Sequence, residues 1–259
     1  MLPSSTLEYA VRDFSGGKAN ITGTYRVDEG NINAAYRIDV DEKGLLFSSS
    51  GSYYAKEGDM RGEIVGSKLA ECAGLSTYRI KQYKGFGLME SAPGNMVIKS
   101  RNAIDKDPKR FAYEIGKLCA YDFVFGVGDG HAKNVFYDGK KATRIDMESV
   151  LMTDMVDTRY VARDFLDNLT GYHTKAETLK PQLRKGFDDA YKSIRSNKRE
   201  ALGTVNRAIR AGIEVGDGYG KKPVDPSVTS EVSRRIDLNT DRLFDEIFDQ
   251  YRILAERRQ

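Results

Sequence analysis

Apolar positions keep a short, alternating period through most of the first ninety residues and a helical period afterwards. Thr24-Tyr-Arg-Val27 and Ala34–Val40 are β-prone runs separated by the turn formers Asp28-Glu-Gly-Asn-Ile-Asn33, and Asp41-Glu-Lys-Gly44 marks a second turn. Leu45 to Lys56 alternates and carries Tyr53 and Tyr54, which predicts another strand. From Arg61 the spacing of Ile64, Leu69 and Cys72 predicts a helix that stops at Gly74. Thr77–Gln82 and Gly87–Glu90 read as two further strands before Ser91-Ala-Pro-Gly94 breaks the pattern. The first third therefore reads mostly as strands.

The remainder is mainly helical. Asp107-Pro108 offers an N-cap and a proline at the first helical position, and Phe111, Ile115, Leu118 and Cys119 follow at helix spacing. A loop and short strands fill about 126–147. Helices are predicted around 159–169, 176–196, 198–212 and 239–257, the last with Leu243, Ile247, Tyr251 and Leu254 along one side. Gly216–Pro226 reads as a loop by composition, and no internal repeat is present. The expectation is an α+β chain: a β-rich part with one helix over residues 1–90, a mainly helical part over 91–259, and a ligand cleft between them.

Composition adds exclusions. At 40% hydrophobic and 31% charged residues, the chain belongs with globular proteins rather than disordered or membrane ones. The net charge of +3 is spread along the chain and interleaved with acids, so no nucleic-acid partner is expected. The Arg and Lys positions of the later helices read as solvated faces. Cys72 and Cys119 lie in helix-like apolar patterns and read as buried free thiols in a reducing compartment. With only His131 and His173 and no tight ligand spacing, zinc is not expected. No signal-peptide pattern opens the chain, and no run reaches the roughly 18–20 apolar residues of a transmembrane segment. A cytoplasmic protein is expected, or an effector secreted without a cleavable signal. Oligomeric state stays open.

The chemistry-bearing segment is Phe125-Gly-Val-Gly-Asp129-Gly-His131-Ala-Lys-Asn134, followed by Arg144-Ile-Asp146-Met-Glu-Ser149. Asp129 and Asn134 stand five positions apart between a helix and a strand. Asp146 closes a second strand after the Asp138-Gly139 turn, so a hairpin would bring three oxygen-bearing side chains to one edge. Phosphoryl transfer uses such a set: one carboxylate orients the acceptor hydroxyl and takes its proton, while an amide and a second carboxylate hold Mg²⁺ against nucleotide phosphates. The Asp-x4-Asn spacing is that of the protein-kinase catalytic loop. The competing reading of Asp129 and Asn134 is a polar turn with side-chain caps.

The Asp-x-His-Ala-Lys-Asn wording at 129–134 resembles the catalytic loop of HipA-type toxin kinases and, more loosely, of phosphatidylinositol kinases. The resemblance covers roughly residues 22–150 by motif order. It implies a bilobal protein-kinase-like fold, a catalytic Asp129, metal ligands Asn134 and Asp146, and a structural His131. Tyr53-Tyr-Ala-Lys56 resembles the strand whose lysine holds the nucleotide phosphates. Glu63 would be its ion-pair partner, with Glu71 as fallback. Glu29-Gly30-Asn31-Ile-Asn33 resembles a phosphate-covering turn, with Ser48–Ser52 as its rival, and backbone near Glu90 would face adenine. Taken alone, Lys56 reads as a surface lysine at a strand end and Glu63 as an exposed first-turn acid. Met147-Glu148 departs from the Phe-Gly that usually follows the metal-binding Asp, no Ala-Pro-Glu element follows, and the N-terminal domain of full-length HipA toxins has no obvious room.

The function implied is transfer of the γ-phosphoryl group of ATP, with Mg²⁺, to a hydroxyl, foremost Ser or Thr of a protein substrate. A pseudokinase scaffold binding a partner, a lipid or small-molecule kinase, and an AMP transferase are the alternatives. His173 reads as a surface residue, and Ser149, Thr153 and Thr158 are conceivable modification sites.

Overall fold

The chain is described by a computed structural model over residues 3–27, 35–43, 48–152, 157–169, 176–217 and 220–258. It is a mixed α+β protein with antiparallel sheets and helices, and it forms two compact units.

The first unit comprises Met1–Ile64 and Tyr78–Ser91. Its sheet has the order β1-β2-β3-β5-β4, built from β1 (Ala19–Val27), β2 (Ala35–Lys43), β3 (Ser48–Glu57), β4 (Ile80–Tyr83) and β5 (Phe86–Glu90). Every pairing is antiparallel, and β2 and β3 run in unbroken register from Ala35↔Lys56 to Lys43↔Ser48. The opening of the chain corrects the expectation of a single helix in the β-rich part, because Ser4–Phe14 is also a helix, α1. Leu7, Ala10, Val11 and Phe14 recur at helical spacing and join Tyr36, Ile38, Val40, Tyr53, Phe86 and Leu88 in one core. Phe14 meets Tyr53 edge-on, with ring centroids 5.2 Å apart. Helix α1 has neither a side-chain cap nor an acidic first turn, so the usual start signals are missing.

Helix α2 (Arg61–Cys72) begins in the first unit, and its residues from Val65 belong to the second, which comprises Val65–Thr77 and Ala92–Gln259. There, α3 (Arg101–Lys106) leads to α4 (Pro108–Phe125). As expected, Asp107 caps α4 by accepting from the Arg110 N–H at 2.9 Å, with proline at the first position. A three-stranded sheet, β6 (Asn95–Met96), β7 (Val135–Tyr137) and β8 (Ala142–Arg144), follows the order β6-β7-β8. The expected later helices are α5 (Thr158–Asn168), α6 (Ala176–Ser196), α7 (Lys198–Arg210) and α9 (Thr240–Glu256). Helix α6 packs on α4 through Gly116 and Gly186. A methyl at Gly116 would stand 2.0 Å from the Leu183 carbonyl oxygen, and one at Gly186 would stand 1.9 Å from that of Tyr113.

The reading of Gly216–Pro226 as loop is corrected in part. Strands β9 (Glu214–Asp217) and β10 (Gly220–Pro223) pair as a hairpin, and α8 (Val228–Ile236) follows. Lys, Gly and Pro are poor strand formers, so only the ladder reveals the hairpin. Helix α8 buries Val228, Val232, Arg235 and Ile236 along one stripe. Cys72 and Cys119 are free and buried. Among the described residues no helix is long and apolar enough to cross a membrane.

Candidate functional site

Helix α4 ends at Phe125, where Gly126 takes a left-handed conformation (φ 61°) and turns the chain into the loop that carries Asp129. Both oxygens of the Asp129 carboxylate are held. The Asn134 amide nitrogen lies 2.9 Å from Oδ2, and His131 Nε2 lies 3.1 Å from Oδ1. His131 Nδ1 accepts from the Lys133 N–H at 3.2 Å, so the imidazole carries its proton on Nε2 and donates it to Asp129. The Asn134 amide also donates to the Asp129 carbonyl at 3.2 Å. Two acceptors fix the amide's orientation, and no donor among the described residues occupies its oxygen. Asp129 remains partly exposed, with 38% of its side chain open to solvent.

Strands β7 and β8 bring Asp146 to the same end of their hairpin. Asp138 closes the turn by accepting from the N–H groups of Lys140 and Lys141, both at 2.7 Å. Val135 pairs with Arg144, and the Ile145 N–H donates to the Asn134 carbonyl at 2.9 Å, one residue before Asp146. Asp146 adopts a left-handed backbone (φ 52°, ψ 48°), one of only two described non-glycine residues with positive φ. Such a conformation costs on the order of 1 kcal/mol and recurs at functional positions. The chain beyond it is tied back to the end of α4. The Gly128 N–H donates to Ser149 at 2.9 Å, Leu151 to Phe125 at 2.7 Å, and Met152 to Gly126 at 2.9 Å.

Beneath the loop lies a buried polar layer that the sequence reading missed. Asp164 of α5 accepts from the Gly130 N–H at 3.1 Å, and Asn168, one turn on, donates to the Gly130 carbonyl at 3.0 Å. The peptide following Asp129 is thus gripped from both sides by one helix. Arg144 ion-pairs with Asp122 of α4, and all four side chains are buried. A methyl at Gly130 would come within 2.4 Å of the Asp164 carboxylate and would have to displace it. Burial pushes Asp122 up to about 7, with Asp164 adding repulsion and Arg144 opposing. Burial likewise lifts Asp164 to about 6 against Arg144 and Arg163. Two carboxyl groups share one buried guanidinium, which favours keeping a proton in the layer. One signal was available: Asp122 interrupts the apolar run of α4.

In the first unit, Lys56 lies on β3, in register with Ala35 on one side and Gly87 on the other. It is 8% exposed and Glu63 only 1%, so neither is the surface residue that each suggests when read alone. The Tyr78 hydroxyl donates to the Glu63 carboxylate. Glu71, the fallback partner, is exposed. The Glu90 N–H donates to the Arg79 carbonyl at 3.0 Å, and its carboxylate pairs with Arg79 at 3.2 Å. The rival phosphate run Ser48–Ser52 is strand, in register with β2, and not a loop. Gly30, Asn31, Asn33, Thr153 and His173 lie outside the described residues. Ser149 is buried, and the Thr158 hydroxyl donates to Glu246 at 2.7 Å.

Among the described residues no three His, Cys, Asp or Glu side chains gather as a metal centre. Mg²⁺ held partly by nucleotide phosphates and water needs fewer protein ligands, and the undonated Asn134 oxygen is of the hard type it prefers. No protein-family model matches the chain, and no curated protein matches its sequence.

Proposed function

We propose that this chain is an atypical kinase that transfers the γ-phosphoryl group of ATP to a hydroxyl acceptor, foremost a Ser or Thr of a protein. One observation carries the reading. Asp129 is partly exposed yet held at both oxygens by His131 and Asn134, whose own amide oxygen accepts from no described donor. Asp129 orients the acceptor hydroxyl and takes up its proton. Asn134 and Asp146 would hold Mg²⁺, which supplies charge neutralisation for the phosphates. His131 and the α5 grip on Gly130 keep the Asp129 carboxylate in one orientation.

Lys56, a buried cation on a strand, is assigned to the nucleotide phosphates, and Glu63 to holding it. Under this reading the β-rich unit and the helical unit correspond to the two lobes of a protein-kinase-like fold. The test is transfer of ³²P from γ-labelled ATP to lysate proteins or to the chain itself. Asp129→Ala and Asp146→Ala are each expected to lower transfer at least about 10²-fold. Undiminished transfer in both variants would refute the mechanism.

A further inference from the structure

Helices α5 and α9 flank an open surface concavity of about 570 Å³ that the mechanism above does not use. Arg159, Tyr160 and Arg163 of α5 line it together with Ile253, Leu254 and Arg257 from the end of α9. Its charges are unbalanced. Asp157 is the one acid in the lining, and its carboxylate already accepts from the Tyr160 N–H at 2.9 Å as the cap of α5. Arg159 and Arg257 are exposed, and neither meets a carboxylate among the described residues. Arg163 lies over the Tyr160 ring, 4.3 Å from its centroid, and stands 3.9 Å from Asp164. Three guanidinium groups around one concavity, two of them without a carboxylate partner among the described residues, make a positive patch that attracts an anion.

The same helix holds the catalytic loop. The Tyr160 hydroxyl donates to the carbonyl of Gly128, the residue before Asp129, while Asp164 grips Gly130 just after it. A ligand in the pocket therefore touches the element that positions Asp129.

We propose that this pocket docks an acidic segment of the protein substrate, an oxyanion-bearing side chain on the arginines beside an apolar side chain on Ile253 and Leu254. The docking role rests on the phosphotransfer reading; the binding itself does not. Guanidinium forks suit carboxylate and phosphate alike, and 570 Å³ has room for a few side chains. A nucleic acid is disfavoured, since Arg163 already covers the one aromatic ring and the floor is aliphatic.

The experiment uses the full chain and fluorescein-labelled dodecapeptides with a central Ser, a neighbouring Leu, and flanks of Glu, phosphoserine or Gln. Fluorescence anisotropy should show the Glu or the phosphoserine peptide binding about tenfold more tightly than the Gln peptide, the better of the two identifying the source of the oxyanion. The double substitution Arg159→Gln and Arg257→Gln should remove that preference. Arg199→Gln with Arg210→Gln, which lowers net charge equally at exposed positions of α7, should keep it. Equal binding of all three peptides, equal loss in both double variants, or tighter arginine-dependent binding of oligo-dT would overturn the proposal. Phosphate transfer by the wild type without arginine-dependent peptide binding leaves the kinase reading intact and sinks the docking site. Arginine-dependent binding without transfer does the reverse.

Discussion

At the scale of single residues, the buried layer under Gly130 makes a prediction that the loop itself does not. Asp122 is raised from the ordinary 3.8 to about 7, chiefly by burial. An acid raised in the folded state binds more protons there than in the unfolded chain. Its contribution is fully present below about pH 4 and is lost as pH rises through 6 to 7, with Asp164 acting in the same direction. Urea unfolding at pH 5 and pH 8 should therefore show lower stability at pH 8, by an amount on the order of 2 kcal/mol. Asp122→Asn, which cannot ionise, should flatten that slope. A slope unchanged in the variant would mean that other groups carry it. The sequence could name Asp129 and Asn134, because five positions of spacing are local. It could not name Asp164, whose hydrogen bond to Gly130 spans 34 residues.

At the scale of elements, the contact of α4 with α6 depends on two small residues, Gly116 and Gly186, that let the backbones approach. The Cβ position at Gly186 lies 1.9 Å from the Tyr113 carbonyl oxygen, so a methyl must separate two backbones rather than move a side chain. Gly186→Ala should cost about 2–3 kcal/mol, read as a fall in urea midpoint with unchanged slope. Gly203→Ala on α7, where a methyl meets only the end of the Arg207 side chain at 3.4 Å, serves as control and should be neutral or slightly stabilising. Long, strongly periodic helices were legible within a residue or two, as with α6 at Ala176–Ser196. Helix α1 was not, because its stripe of Leu7, Ala10, Val11 and Phe14 lies behind uncapped Ser and Thr residues. The β9–β10 hairpin was not either, because its stability comes from pairing and not from the propensities of Gly, Lys and Pro.

For the whole molecule, the decisive question is whether the nucleotide stabilises the fold, since ligand binding to the folded state alone raises stability through mass action. If ATP with Mg²⁺ binds as proposed, a ligand concentration a hundred times Kd adds about 2.7 kcal/mol. For a chain of 259 residues this raises Tm by about 5–10 °C. Lys56 and Asp146 belong to different units, so their substitution asks the question of each unit separately. Lys56→Met retains most of the stem volume while removing the cation, and it should abolish the shift by weakening hold on the phosphates. Asp146→Asn should leave a smaller shift that no longer differs between Mg²⁺ and EDTA. A Tm indifferent to ATP in the wild type would remove nucleotide binding from the reading and leave a scaffold. A shift insensitive to both substitutions would place the nucleotide elsewhere on the chain. A shift that is lost with Lys56→Met and loses its Mg²⁺ dependence with Asp146→Asn is what Mg²⁺-ATP held by the proposed residues requires.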